Sequence, residues 1–153
     1  MKFIAVALLF TASALPAGDP PGFHYWSSSE LKSFARTLSP KINALKVASE
    51  PLASHGNYQF MAAHREGSGE AEYHETMADI LVIESGECTL VYGGSMVKAK
   101  TTAPHEKRAP SIQGGLGRKL SEGDVVTIPA ATPHQMLVPA GKQVTYFVVK
   151  VAQ

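Results

Sequence analysis

The chain has 153 residues, 44% hydrophobic and 18% charged, which suits one domain with its own core and gives no sign of a second. Fourteen Lys and Arg against thirteen Asp and Glu leave a formal charge of +1. The basic residues are scattered, so no face is built to neutralise a row of phosphates, which argues against nucleic acid as a partner.

Residues 1–17 come first and read as an export leader. Lys2 precedes an apolar run from Phe3 to Phe10, followed by Thr11-Ala12-Ser13-Ala14 and Leu15-Pro16-Ala17. A basic start, a short apolar stretch and an Ala-x-Ala site form a secretory signal peptide, with cleavage after Ala14 or Ala17. The run falls short of the roughly 20 apolar residues that span a bilayer, so no stable membrane insertion is expected after cleavage. A periplasmic or secreted location follows. A buried N-terminal strand or a retained anchor are the alternatives.

Residues 18–56 read as a linker and a helix. Asp19 to Tyr25 is rich in Pro and Gly, and Ser27-Ser28-Ser29-Glu30 has the form of a capping box. Leu31, Phe34, Ala35 and Leu38 follow at helical spacing until Pro40 ends the run. The expectation is one short amphipathic helix on the outside of the domain, with Trp26 joining its packing.

Residues 57–153 change character. Tyr58 to Arg65, Asp79 to Glu84, Glu87 to Tyr92, Val125 to Ile128, His134 to Val138 and Val144 to Val151 carry β-branched or aromatic residues between turn formers. Thirteen Gly and ten Pro in the chain fit that punctuation. An all-β fold, an antiparallel sandwich or barrel, is predicted. Lys98 to Arg118, with two Pro and three Gly and little periodicity, reads as a long loop over one barrel mouth. The single cysteine, Cys88, can form no intramolecular disulfide and is expected to be a small buried hydrophobe.

Two segments carry the chemistry. In Gly67-Ser68-Gly69-Glu70-Ala71-Glu72-Tyr73-His74, strand alternation points Glu72 and His74 the same way, and Asp79 opens the next apolar strand. In Gly123-Asp124-Val125-Val126-Thr127-Ile128-Pro129-Ala130-Ala131-Thr132-Pro133-His134, a strand enters a tight turn and Pro133 fixes the chain just before one imidazole.

At these residues the chain resembles the cupin superfamily, and in size a single-domain bacterial cupin of the type-2 conserved-barrel kind. Glu72, His74, Asp79 and Gly86 stand at the positions of its first motif, with Glu72 in place of a His and Asp79 in place of a Glu. Gly123, Pro129, Ala131 and His134 keep the spacing of its second. The resemblance spans residues 67–151. It implies a cupin jelly-roll, or double-stranded β-helix, barrel with a short N-terminal helix. It further implies a divalent metal ion held by Glu72, His74, Asp79 and His134, with Fe, Mn, Ni and Zn all open. Asp79 is one methylene shorter than Glu, so it reaches less far towards such an ion. A homodimer is a further implication of the resemblance.

Other residues weigh less. His64 shares a strand phase with Tyr58, Phe60 and Ala62 and is either a cavity-lining proton carrier or an ordinary core or surface histidine. His55 and His105 sit among loop signals. Gln135 is expected to face away from the site, Met136 and Val138 towards it, with Tyr92 and Tyr146 as aromatic lining or core. Asp124 reads as a turn former. The function expected is metal-dependent small-molecule chemistry of oxygenase or isomerase type. The alternative is a non-catalytic cupin that binds a sugar or organic acid without metal.

Overall fold

The computed structural model describes residues 18–153, so the leader expected over 1–17 lies outside it. The helix α1 spans Ser28–Leu38. The strands are β1 (Val47–His55), β2 (Tyr58–Arg65), β3 (Ala71–His74), β4 (Met77–Tyr92), β5 (Ser95–Val97) and β6 (Lys100–Ala103), followed by β7 (Glu106–Ala109), β8 (Ser111–Gln113), β9 (Leu116–Ser121), β10 (Val125–Ile128), β11 (His134–Leu137) and β12 (Val144–Ala152).

The longest strand, β4, belongs to both walls. Its first half pairs with β12 and β10, and its second half with β9 and β11. The walls meet where the chain breaks phase. Opposite Thr145 and Tyr146 the register skips Glu84, leaving one extra residue on β4. Before that bulge Leu81 and Ile83 face inward, and beyond it Cys88 and Leu90 do. Gly86 completes the bend at φ +80°, and a Cβ there would stand 2.0 Å from the Gln143 carbonyl oxygen, so only glycine fits. Sequence reading placed a break at this glycine; the structure bends one continuous strand instead.

One wall runs β1-β2-β12-β4 with β10 on the far side of β4. The other runs from β4 through β11, β3 and β7 to β6, with β9 also on β4. Between them lies the core of Ala63, Leu81, Ile83, Leu90, Val144 and Val148, with neighbours of the same phase. The result is a curled, all-antiparallel β-barrel.

Two elements differ from the sequence reading. The sheet starts at Val47, inside the stretch read as linker and helix, because Val47–His55 pairs along the whole of β2 with a bulge between Pro51 and Ala53. Pro51 and the small, polar residues around it hide the alternation. Lys98 to Arg118 is not an open loop: β6 and β7 form a hairpin whose turn carries His105 at φ 62°, and β8 pairs with β5. These strands are short and charged, so their hydrophobic period is too weak to read.

The helix follows expectation. The Ser27 hydroxyl accepts a bond from the Glu30 N–H (3.2 Å) and the Glu30 carboxylate accepts one from the Ser27 N–H (2.7 Å). Leu38 is fully buried against Ala48 and Ala62, with Phe34 beside it. Trp26 lies against Phe60 and Phe147 at ring distances of 5.1 and 5.3 Å on the barrel's outer face. Among the described residues no helix is long and apolar enough to cross a membrane.

Candidate metal centre

The two motif segments meet through backbone pairing. In β11, His134 stands opposite Glu72 of β3 on one side and Tyr92 of β4 on the other. The turn before it is pinned by the Ala131 N–H, which donates to the His74 carbonyl (2.8 Å), and by the Gly93 N–H, which donates to the Pro133 carbonyl (2.8 Å). Ala131 takes φ 58°, a left-handed conformation that a larger or β-branched side chain resists.

Each imidazole is then aimed by its own hydrogen bond. His134 Nδ1 donates to the Thr132 carbonyl at 3.0 Å, and His74 Nδ1 to Glu106 Oε1 at 2.8 Å. Both bonds direct Nε2 inward, in the arrangement by which carboxylates and carbonyls orient metal-ligating histidines. Glu72 Oε2 lies 3.5 Å from His74 Nε2 and 3.9 Å from His134 Nε2. One donor atom from each of these residues falls within 4.8 Å of the others, a spacing that one ion with bonds of about 2.0–2.2 Å satisfies.

Asp79 reaches the same place with a different partner. Its Oδ2 is 3.4 Å from His74 Nε2 and 3.5 Å from His134 Nε2. Both its oxygens accept hydrogen bonds from Lys150 Nζ, at 2.7 and 2.9 Å, across the β4–β12 register. Lys150 Nζ also lies 3.0 Å from His74 Nε2. All four predicted donors therefore converge: Glu72, His74 and His134 within 4.8 Å of one another, and Asp79, held by Lys150, within 3.5 Å of both imidazoles.

Sequence reasoning missed Lys150, Arg65, Arg108 and Glu106. Parity holds the signal for two of them. Lys150 continues the inward series Val144, Tyr146, Val148, and Arg65 continues Met61, Ala63. Arg65, only 8% exposed, donates through Nε to the Tyr146 hydroxyl (3.0 Å) and through Nη2 to Glu72 Oε1 (3.3 Å). Arg108, opposite Glu72 in the β3–β7 pair, brings Nη1 to the same Oε1. Nothing in the sequence around Arg108 and Glu106 announces that pairing.

Charges follow from these contacts. Burial alone would raise the Glu72 carboxyl, but His74, Arg108, His134 and Arg65 outweigh it and hold it at about 2. Burial likewise opposes ionisation of Asp79, and His134, His74 and Lys150 pull it far below the usual carboxylate range. For His74, burial and the Lys150 ammonium disfavour the charged ring, yet Asp79 and Glu72 push it up to about 9. A protonated Nε2 and an ammonium 3.0 Å apart repel, whereas the carboxylates need an N–H there. The two carboxylates outweigh one lysine, and the balance favours the charged ring.

The cluster opens on a cavity of about 220 Å³ whose ionisable wall is Arg65, Glu72, Asp79, Arg108, His134 and Lys150. Its apolar wall includes Met61, Leu81, Met136 and Val148. The remaining candidates lie elsewhere. His64 is buried on the other face of β2, bonded to Thr145 Oγ1 at 2.8 Å and Glu66 at 3.3 Å. His55 packs against His24 and Tyr58, and exposed His105 bonds Glu75. Gln135 faces away, donating to the Gly69 and Pro110 carbonyls, while Val138 packs in the core. Tyr146 lines the cavity, Tyr92 packs at the core's edge, and Asp124 caps its turn through the Ser121 N–H.

No known family model matches the sequence, and no curated protein does. Solved structures do. TT1209 from Thermus thermophilus is 17% identical over 76% of this chain and 92% of that one, with a TM-score of 0.53. A putative mannose-6-phosphate isomerase from Ralstonia eutropha JMP134 is 14% identical over 73% of this chain and 90% of that one, with a TM-score of 0.51. Peruvianin-I, a cysteine peptidase from Thevetia peruviana latex, is 9% identical over 72% of this chain, which spans only 64% of that protein, with a TM-score of 0.52. These likenesses, with the curled sheet, give the class: the chain has the cupin fold. Within that class the neighbours' names point to unrelated chemistries, so the function has to be argued from the site.

Proposed function

We propose that this is an exported single-domain cupin that binds one divalent metal ion through Glu72, His74 and His134 and acts on a small molecule in the adjoining cavity. The observation that carries the reading is the convergence of those three donors within 4.8 Å of one another, two of which, Glu72 and His134, line a cavity of about 220 Å³. Two imidazole nitrogens and a carboxylate suit Fe, Mn, Ni or Zn. The bonds at both Nδ1 atoms support it, since they leave each Nε2 turned towards Glu72 and Asp79.

A bound ion supplies a Lewis acid that polarises a substrate oxygen. This chain's residues do the rest. Glu106 and the Thr132 carbonyl fix the two rings. Met61, Leu81, Met136 and Val148 exclude water from one side of the cavity. Lys150, paired with Asp79 at 2.7 Å, presents a fixed ammonium at the cavity wall, where it would hold a substrate oxygen.

One observation favours a second reading. Lys150 Nζ approaches His74 Nε2 at 3.0 Å, where an ion would take the nitrogen lone pair, and this suits a metal-free cupin that binds a sugar or organic acid. Elemental analysis of tag-free protein separates the two. The metal reading expects about one first-row ion per chain in the wild type and none in His134→Ala. Full metal in His134→Ala, or a wild type that takes none even when supplied, overturns it. For export, the mature N-terminus is expected at Leu15 or Gly18; an intact Met1 in the protein recovered from its producing cell would contradict that.

A further inference from the structure

The metal-centre cavity has an antechamber. A second hollow of about 560 Å³, bordered by Leu45, Lys46, Ser68 and Glu70, shares Val47, Arg65, Glu72 and Arg108 with the inner cavity. Arg65 and Arg108 therefore stand at the neck between the two. Both guanidiniums converge on a single carboxylate oxygen, Glu72 Oε1. Glu72 Oε1 thus serves two forks of five N–H donors each, and beyond it Arg108 has only a longer contact, 3.6 Å, between Nη2 and Glu106 Oε2.

The count of charges agrees. Arg65, Arg108 and Lys150 face the inner cavity against Glu72 and Asp79, an excess of one positive charge. Glu106 takes the His74 Nδ1–H through Oε1 and lies 3.6 Å from Arg108 Nη2 through Oε2, and its charge is offset by the His74 imidazolium, so the excess stands. In the antechamber Lys46 and Glu70 offset each other. An excess cation in a low-dielectric wall is costly until an anion joins it.

The Arg65 fork is built into place. Tyr146 OH accepts from its Nε at 3.0 Å, and a Cβ at Gly69 would lie 2.5 Å from its Nη1, so the glycine clears the fork's outer edge. Among the described residues Arg65 makes hydrogen bonds through Nε and Nη2, leaving Nη1 beside Gly69 at the antechamber. Planar, doubly presented N–H groups match a carboxylate better than a hydroxyl or a neutral amide.

We infer that Arg65 and Arg108 form a carboxylate-binding subsite at this neck, and that the small molecule taken into the barrel is a short organic acid with an apolar body. Glu72 is the internal stand-in: when it turns to the Nε2 atoms of His74 and His134, the ligand's carboxylate takes over both guanidiniums. The acid's body lies against Met61, Leu81, Met136 and Val148. A cavity of about 220 Å³ is smaller than the roughly 300–1,000 Å³ of drug-sized pockets, so a compact acid fits. The inference rests on the reading that the barrel takes a small molecule, and it holds with or without metal.

The experiment measures thermal melting of the purified protein in EDTA with hexanoate or benzoate, against the neutral isosteres hexanamide and benzamide. The acids are expected to raise the melting temperature with concentration and the amides to leave it unchanged. Arg108→Gln and Arg65→Met are expected to weaken acid binding at least ~10-fold. Where Arg65→Met fails to fold, the part-exposed Arg108→Gln decides. Equal stabilisation by acid and amide, stabilisation by neither acid, or acid binding unchanged in Arg108→Gln overturns the subsite. A protein that takes no metal but is stabilised by hexanoate refutes the metal centre alone. One that takes metal and ignores both acids refutes the subsite alone.

Discussion

Replacing Glu72 by Gln keeps the side chain's shape and removes the one anion shared by Arg65 and Arg108. The native environment holds this carboxyl at about 2, against 4.5 in the unfolded chain. At 1.36 kcal/mol per unit, that difference is worth about 3 kcal/mol at neutral pH, an upper figure since the neighbours relax. The sign follows from the direction of the shift. A lowered carboxyl contributes its full stability above the unfolded value and loses it as pH falls towards the folded one. The linkage relation leaves ~1.4 kcal/mol at pH 3, less than half the neutral value. Urea unfolding of wild type and Glu72→Gln, followed by circular dichroism at pH 7, 5, 4 and 3, measures the difference directly. A destabilisation of about 2–3 kcal/mol at pH 7 that shrinks by more than half at pH 3 is expected. A difference that stays constant with pH would show that the cost is one of packing, and the electrostatic account of the neck would fall.

Three other outcomes follow from the same contacts. Lys150→Met removes the cation 3.0 Å from His74 Nε2 and frees Asp79 to join the donor set, so divalent metal is expected to bind at least ~10-fold more tightly by calorimetry; weaker binding would contradict the placement. Because His74 is pushed up to about 9, metal must displace a proton from it, and the apparent association constant should rise about tenfold per pH unit from 6 to 8 and level off above 9. A chelator-competition titration that shows no pH dependence would refute that. Cys88 is 2% exposed and burial raises its thiol to about 11, so a thiol reagent at pH 8 should label it only after unfolding; rapid labelling of the native protein would contradict its burial.

The site was legible where chain chemistry constrains the backbone. Pro133 and the turn before it mark His134, and strand alternation in Ala71–His74 aligns Glu72 with His74. The Ser27 and Glu30 capping box gave the helix. Legibility stopped where function depends on what lies opposite. Lys150 sits at the end of an apolar strand, and only its phase with Val148 and Tyr146 marks it as inward. Arg108 and Glu106 belong to a four-residue strand with no apolar period, and their role comes from the β3–β7 register, which is a tertiary fact. Glu84 shows the same limit: a one-residue bulge reverses the inward set of β4 and carries the chain from one wall to the other, while the local sequence around it reads as ordinary strand.

The most direct measurement is the position of anomalous scattering in crystals of the protein grown with Co²⁺ or Zn²⁺. One peak about 2.0–2.2 Å from His74 Nε2, His134 Nε2 and a Glu72 carboxylate oxygen, with Lys150 Nζ withdrawn from His74, is the expected result. Crystals grown in excess metal with no peak at these atoms, and Lys150 still against His74, would contradict it.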